Sequence, residues 1–340
     1  MRHGIVTRND SVWQGHPDVA WFNDELFIVY RESDYHRARR NTCICLVRDN
    51  KKKKYSEPRV IAKSPHRFNC PRLSVIGDIL WLICDEVIIA GDGTFFKLEN
   101  DESKTTTFLW KTKDGDKWEG PIETNIKGIV PDRICSTDDG FVTATHTKDY
   151  FGEPSKNSGF LAQNIWHAID LEGEWIKHPL CHKEGYNLCE ASVSRLKNNT
   201  YIALMRENSG LGLPAFVCFS KDAITWSNPI ENRMFGCHRP VTGQLKSGNL
   251  LTTYREASGS FSPGLWAKNT FACLTMKSSI HDGMVKSIIL PLDHDNAKNS
   301  DSGYTGWVQL PDESIFIVNY ITQGAPRPFI KWYIINEADF

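Results

Sequence analysis

Apolar and polar side chains alternate with a period of two along much of this chain. In the stretch 15–33, GHPDVAWFNDELFIVYRES, an alternating run meets the pair Asn23-Asp24 and continues into a more uniformly apolar run. Alternation of this kind marks a strand with one covered face. An Asn/Asp pair between two such runs marks a hairpin. Five further stretches share the plan: 70–87, 130–148, 189–208, 237–257 and 302–322. Each has a short polar or proline-marked start, an alternating strand, a turn rich in Asp, Asn or Gly, and a second, more apolar strand. Sustained helical periodicity is hard to find.

The hairpins recur at a near-constant interval. With Pro17, Pro71, Pro131, Ala191, Pro240 and Thr305 as markers, the steps are 54, 60, 60, 49 and 65 residues. Strand-built repeats of this length predict an all-β fold, a six-bladed β-propeller spanning 1–340 as one domain. A β-sandwich needs no such period. The material between hairpins supplies the outer strands, as in 105–121 and 215–229. Two of these segments, KTKDGDKW (111–118) and SKDAITW (220–226), resemble the Asp-box, in which an acidic turn caps a hairpin over a Trp. Both are imperfect, with Lys117 in place of the Thr and Ala223 in place of the Gly.

Composition narrows the functional classes. The formal net charge of -1 gives no reason to expect nucleic acid or an anionic membrane as partner. No window approaches the length of a membrane span. The first residues, MRHGIVTRNDSVWQGHPD, contain no apolar signal-peptide core, so a cytoplasmic location is expected, or release by lysis if the protein is phage-borne. The 10 Cys are scattered without a CxxC pair, which reads as buried thiols in a reducing compartment and predicts no metal site. No cofactor is implied. The 11 Trp, 10 Tyr and 17 Phe favour strands and also stack on sugar rings, so they decide nothing alone.

A propeller brings the start of each innermost strand and the end of the next strand to one face. The starts offer His16 and Asp18, Arg72, Asp132 and Arg133, Glu190, His238 and Arg239, and Tyr304. The ends offer Arg31 with Glu32, Asp85 with Glu86, His146, Arg206 with Glu207, Arg255 with Glu256, and Tyr320. Guanidinium forks suit carboxylates and phosphates. Arg31, Arg72, Arg133, Arg206, Arg239 and Arg255 converging on one channel mouth predict a small anion or an acidic sugar as ligand. The plainer alternative pairs each Arg with a neighbouring Glu in a structural network.

With these positions the chain resembles the sialidase superfamily of six-bladed propellers. Glu190 and Arg206 match, in blade and spacing, the Glu that opens a fourth-blade strand of that family and the Arg that closes the next. The string YTGW, Tyr304 to Trp307, stands where the family places its sixth-blade Tyr. The resemblance implies a retaining glycosidase with Tyr304 as nucleophile and Glu190 as its base. It implies a carboxylate-binding Arg from blade five, for which Arg239 and Arg255 compete. It implies an acid/base Asp in the loop after the first hairpin, for which Asp34 is nearest and Asp18 next. One position departs: where the family has Arg-Ile-Pro in the first blade, this chain has Gly15-His16-Pro17, leaving Arg31 or Arg72 to reach the same space. The implied substrate is sialic acid or a related ulosonic or uronic acid.

A phenol has a chemical rationale here. A carboxylate nucleophile approaching an anomeric carbon that bears a carboxylate meets like charge, and a neutral Tyr deprotonated by Glu avoids much of it. Two other readings keep the fold. A polysaccharide lyase uses Tyr and His as base and acid with Arg on a uronate, and His16, His146 and His238 all fall on the funnel face. A glycan-binding propeller uses the face without chemistry.

Overall fold

The computed structural model describes residues 1–38, 40–49, 55–89, 102–147, 162–181, 186–208, 213–257, 268–298 and 300–340. Lys148, the end of the third expected hairpin, lies outside them. The described residues are almost entirely strand and loop, with three single-turn 3₁₀ segments, and they form six antiparallel sheets, the blades of a propeller.

Blade one is Trp13–Phe22, Glu25–Ser33, Thr42–Asp49 and Arg59–Ser64, and blades four and five repeat it with Leu188–Arg195 to Ile230–Phe235 and Cys237–Gln244 to Ser287–Asp295. In blade two the innermost position is split, Arg67–Phe68 and Arg72–Ile76 both pairing with Ile79–Val87. Blade three opens on only Cys135–Ser136 against Phe141–Thr147. Local chemistry explains the hairpins. Asn23 and Asp24 have φ of 49° and 59°, the double left-handed turn that an Asn-Asp pair tolerates. The second strands read as continuous apolar runs because neighbouring blades cover both faces, and every residue of Ile315–Ile321 is buried. The outermost strands revert to alternation, as in Ile230–Phe235.

The ring closes through the sixth blade. Its inner three strands, Gly306–Gln309, Ile315–Ile321 and Phe329–Ile335, come from the C-terminal end, and its outermost strand is Arg2–Thr7, paired antiparallel with Phe329–Ile335 with a register shift between Ile5 and Thr7. The closure covers an edge that would otherwise stay open. Burial of Val6 alone contributes about 1.5–3 kcal/mol. A chain lacking residues 1–7 is therefore expected to melt several degrees lower. An unchanged Tm in calorimetry would show that this strand does not close the ring.

Adjacent blades are locked at one height by a recurring contact. At four junctions an inner side chain of one blade accepts a backbone N–H from the next: Asp18 from Leu73 at 2.8 Å, Ser74 from Ile134 at 2.8 Å, Asp132 from Val193 at 2.7 Å and Ser192 from Thr242 at 3.0 Å. This phases the inner strands, so equivalent residues of different blades meet at the axis.

The two acidic turns have matching geometry. Asp114 accepts the N–H groups of Asp116 and Lys117, both at 2.8 Å, and Asp222 accepts those of Ile224 and Thr225 at 2.9 and 2.7 Å. All ten cysteines are free thiols.

Candidate active site

Each blade sends one residue, the one before its marker, to the channel axis: His16, Cys70, Val130, Glu190, Arg239 and Tyr304. Four of them, His16, Val130, Glu190 and Arg239, have φ between 48° and 55°. A non-glycine residue held there costs about 1–3 kcal/mol. The strain accompanies bulges between Gly15 and Asp18, Cys189 and Ser192, and His238 and Val241, which re-aim the side chains.

These residues touch one another. The Tyr304 hydroxyl donates to Glu190 Oε1 in a short hydrogen bond. Glu190 Oε2 accepts from Arg206 Nη1 at 3.0 Å and from the backbone N–H of Arg239 at 3.0 Å. The His16 ring stacks on the Tyr304 ring at 4.5 Å, and its Nδ1 lies 3.4 Å from Cys70 Sγ. The Arg255 guanidinium covers the Tyr304 ring at 4.9 Å and donates to Ser302 O and to His238 Nδ1, at 3.3 and 3.2 Å.

The electrostatics divide the pair. Burial opposes ionisation of Glu190, but Arg206 and Arg255, aided by the Tyr304 hydroxyl, hold its carboxyl well below the usual range. Burial and the Glu190 charge push the Tyr304 phenol up, with Arg255 and Arg206 pulling the other way. The resting pair is a neutral phenol on a carboxylate. Burial brings His146 down to about 4, and burial with Arg206 and Arg255 brings His238 to about 2, so both rings are neutral near pH 7. His238 can then accept the Arg255 hydrogen bond. Burial and Arg255 also lower Lys268, to about 8.

The six expected arginines separate into two groups. Arg206 and Arg255 stand against Glu190 and Tyr304. The other four are engaged in the frame. Arg72 donates to Thr305 O at 2.8 Å and lies 3.5 Å from Asp18. Arg133 grips Asp18 with two nitrogens, Nε to Oδ2 at 3.0 Å and Nη2 to Oδ1 at 2.5 Å. Arg239 donates to Pro131 O at 2.9 Å and Ala191 O at 3.4 Å. Arg31, buried against Trp13, donates to Phe68 O, Asn69 Oδ1 and His36 O. The plainer alternative, an Arg paired with the glutamate beside it, does not describe Arg31, since Glu32 accepts from Gln14 and Tyr30 instead. Asp18 is wholly buried between Arg72 and Arg133.

Among the described contacts Asp34 has none with these residues. It is half-exposed, and its carboxylate accepts the N–H of Tyr35 at 2.9 Å. Two residues later the loop delivers a group the sequence reading missed. His36 Nδ1 lies 2.9 and 3.1 Å from the two oxygens of Asp301, and its ring centroid is 6.5 Å from that of Tyr304. Asp301 also accepts from Trp13 Nε1 at 2.7 Å and Tyr320 Oη at 2.9 Å. His36 and Asp301 lie in connecting segments where no strand pattern marks them. Among the described residues no hydrogen-bond partner meets the buried Nε of Arg206 and of Arg255, Nε2 of His16 or Nδ1 of His146.

No family model matches the chain, and no curated protein sequence matches it. Solved structures do. A protein of unknown function from Dyadobacter fermentans superposes with a TM-score of 0.77 at 16% identity, over 98% of this chain and 97% of that one. Trypanosoma rangeli sialidase in complex with the inhibitor DANA gives a TM-score of 0.65 at 12% identity, over 96% of this chain and 55% of that one. NanB sialidase of Streptococcus pneumoniae gives 0.62 at 11% identity, over 99% and 71%. This chain thus spans a little over half the length of the trypanosomal enzyme. Identities this low speak to fold alone, and the fold is the six-bladed propeller of sialidases.

Proposed function

We propose that this protein is a retaining glycoside hydrolase acting on an acidic sugar, with Tyr304 as nucleophile. The observation that carries the reading is the hydrogen bond from Tyr304 to Glu190, set beneath two arginines, Arg206 and Arg255, that have no carboxylate partner other than Glu190 among the described contacts. A sugar carboxylate seated against these guanidinium groups places its ring over the Tyr304 oxygen. Glu190 takes the phenolic proton as the oxygen attacks the anomeric carbon. The neutral phenol avoids the repulsion that a carboxylate nucleophile meets at an anomeric carboxylate. This favours sialic acid or a related ulosonic acid, with uronic acids next. Gly15 stands where the family's first-blade string has its arginine, so in this reading the carboxylate is held by two forks and not three. The paired acidic turns at Asp114 and Asp222 are read as diverged Asp-boxes.

A second reading has its own observation. His16 stacks on Tyr304, and His146 and His238 border the Arg206–Glu190 pair as neutral rings. That set suits β-elimination from a uronate, with Tyr and His exchanging protons.

Product analysis separates the readings. Aryl and alkyl glycosides of sialic, other ulosonic and uronic acids are incubated with the protein. A saturated reducing sugar is expected. An unsaturated product absorbing in the near ultraviolet assigns a lyase, and intact substrate with measurable binding assigns a binding module. Arg206→Ala is expected to raise KM for the anionic glycoside at least tenfold, because a charged hydrogen bond is worth about 1.5–3 kcal/mol. An unchanged KM would remove Arg206 from the carboxylate site.

A further inference from the structure

We propose that His36, oriented by Asp301, is the proton donor and acceptor of the hydrolytic reaction. This rests on the reading of Tyr304 as nucleophile.

The geometry is that of a positioned imidazole. Both Asp301 oxygens lie within hydrogen-bond distance of His36 Nδ1. Asp301 is held in turn by Trp13 Nε1 and Tyr320 Oη. A carboxylate on one ring nitrogen fixes that nitrogen as the N–H and leaves Nε2 for the reaction. The loop is tied down from below, because the Arg31 guanidinium donates to the His36 carbonyl. The His36 ring meets the Trp13 ring edge-on at 5.2 Å and the His16 ring at 5.0 Å. Its side chain keeps 36% of its surface, so solvent reaches the ring although the rings and arginines around it cover the rest. The His36 and Tyr304 ring centres are 6.5 Å apart and the rings meet edge to face, so the imidazole borders the space beside the Tyr304 ring.

The steps balance. As Tyr304 oxygen bonds to the anomeric carbon, the glycosidic bond breaks with its electron pair on the leaving oxygen. That oxygen takes the Nε2 proton of imidazolium His36. In the second half, neutral Nε2 takes a proton from water, the water oxygen bonds to the anomeric carbon, and Tyr304 leaves and recovers its proton from Glu190.

The charges around the ring set when it is protonated. It faces Asp301, Arg31, Arg255, His16, Tyr304 and Tyr320, with Lys268 behind Asp301 at 4.0 Å. Burial lowers its basicity in the free protein, Asp301 raises it, and Arg31 and Arg255 lower it. A bound anion offsets the arginines and raises it. A required acid is lost as pH rises through its pKa. The basic limb of kcat/KM, which reports the free protein, is therefore expected at lower pH than that of kcat.

The test compares wild type, His36→Gln and Asp301→Asn on two sialosides, one with a 4-methylumbelliferyl leaving group and one with an alkyl leaving group. His36→Gln is expected to lose about 10²–10⁴-fold on the alkyl sialoside, with the first step on the aryl sialoside nearly unchanged because a phenolate leaves without a proton. Azide is expected to restore aryl turnover in His36→Gln and to yield a glycosyl azide, which a merely structural defect does not produce. Asp301→Asn is expected to shift the basic limb to still lower pH. Equal losses on both sialosides without azide rescue overturn the assignment of His36 alone. Wild-type protein that cleaves neither overturns the sialic-acid hydrolase reading and this proposal with it.

Discussion

Tyr304→Phe is expected to lower turnover of the acidic glycoside by about 10²–10⁴-fold while the fold survives. The substitution keeps the ring, so stacking on His16 and the cover of Arg255 persist. Only the hydroxyl is lost, and with it the bond to Glu190. Glu190 retains Arg206 and the Arg239 N–H, so the stability cost is that of one hydrogen bond, about 1 kcal/mol. Glu190→Gln should act in the same direction, because an amide cannot take the phenolic proton. Steady-state kinetics beside thermal unfolding curves check both. Near-full activity in a folded Tyr304→Phe protein would rule out Tyr304 as nucleophile and return the funnel histidines to the centre of the chemistry.

The second large effect is on stability. Asp18→Ala is expected to cost about 3–5 kcal/mol, the scale for removing one partner of a buried ion pair. Asp18 is fully buried, bonds Arg133 through both oxygens, accepts Leu73 N–H at 2.8 Å and lies 3.5 Å from Arg72. Without it, two guanidinium groups lose their counter-charge and the latch between blades one and two opens. Burial tends to raise the Asp18 pKa, but Arg133 and Arg72 outweigh it and depress the folded value. The stabilisation is therefore complete above the ordinary carboxylate value of about 4 and fades as pH falls through the lower folded value. Urea unfolding at pH 7 and near pH 3 should show a larger wild-type loss at acid pH than Asp18→Ala shows. A variant that is stable at both pH values but inactive would place Asp18 in the chemistry and not in the frame.

The chain itself determined the blades. Period-two alternation, turn residues such as Asn23-Asp24 and a recurring proline marker are local signals, and a strand or hairpin forms from local signals. Recurrence also made the adjacency of Tyr304 and Glu190 legible, although 114 residues separate them. Equivalent positions of a ring of blades meet at one height, so their order in the chain fixes their place on the axis. Only the tertiary structure decided which arginines face Glu190 and Tyr304. Arg72, Arg133, Arg206 and Arg239 look alike in sequence, and each sits at a strand start or end. Their fates differ because neighbouring blades offer some of them unpaired carbonyls, Thr305 O, Pro131 O and Ala191 O, or the buried Asp18 carboxylate. The pairing of His36 with Asp301, 265 residues apart, was equally out of reach. Both lie in connecting segments, where no repeat period constrains the backbone, so only the packing of Trp13, Arg31 and Tyr320 around them brings the imidazole to the carboxylate.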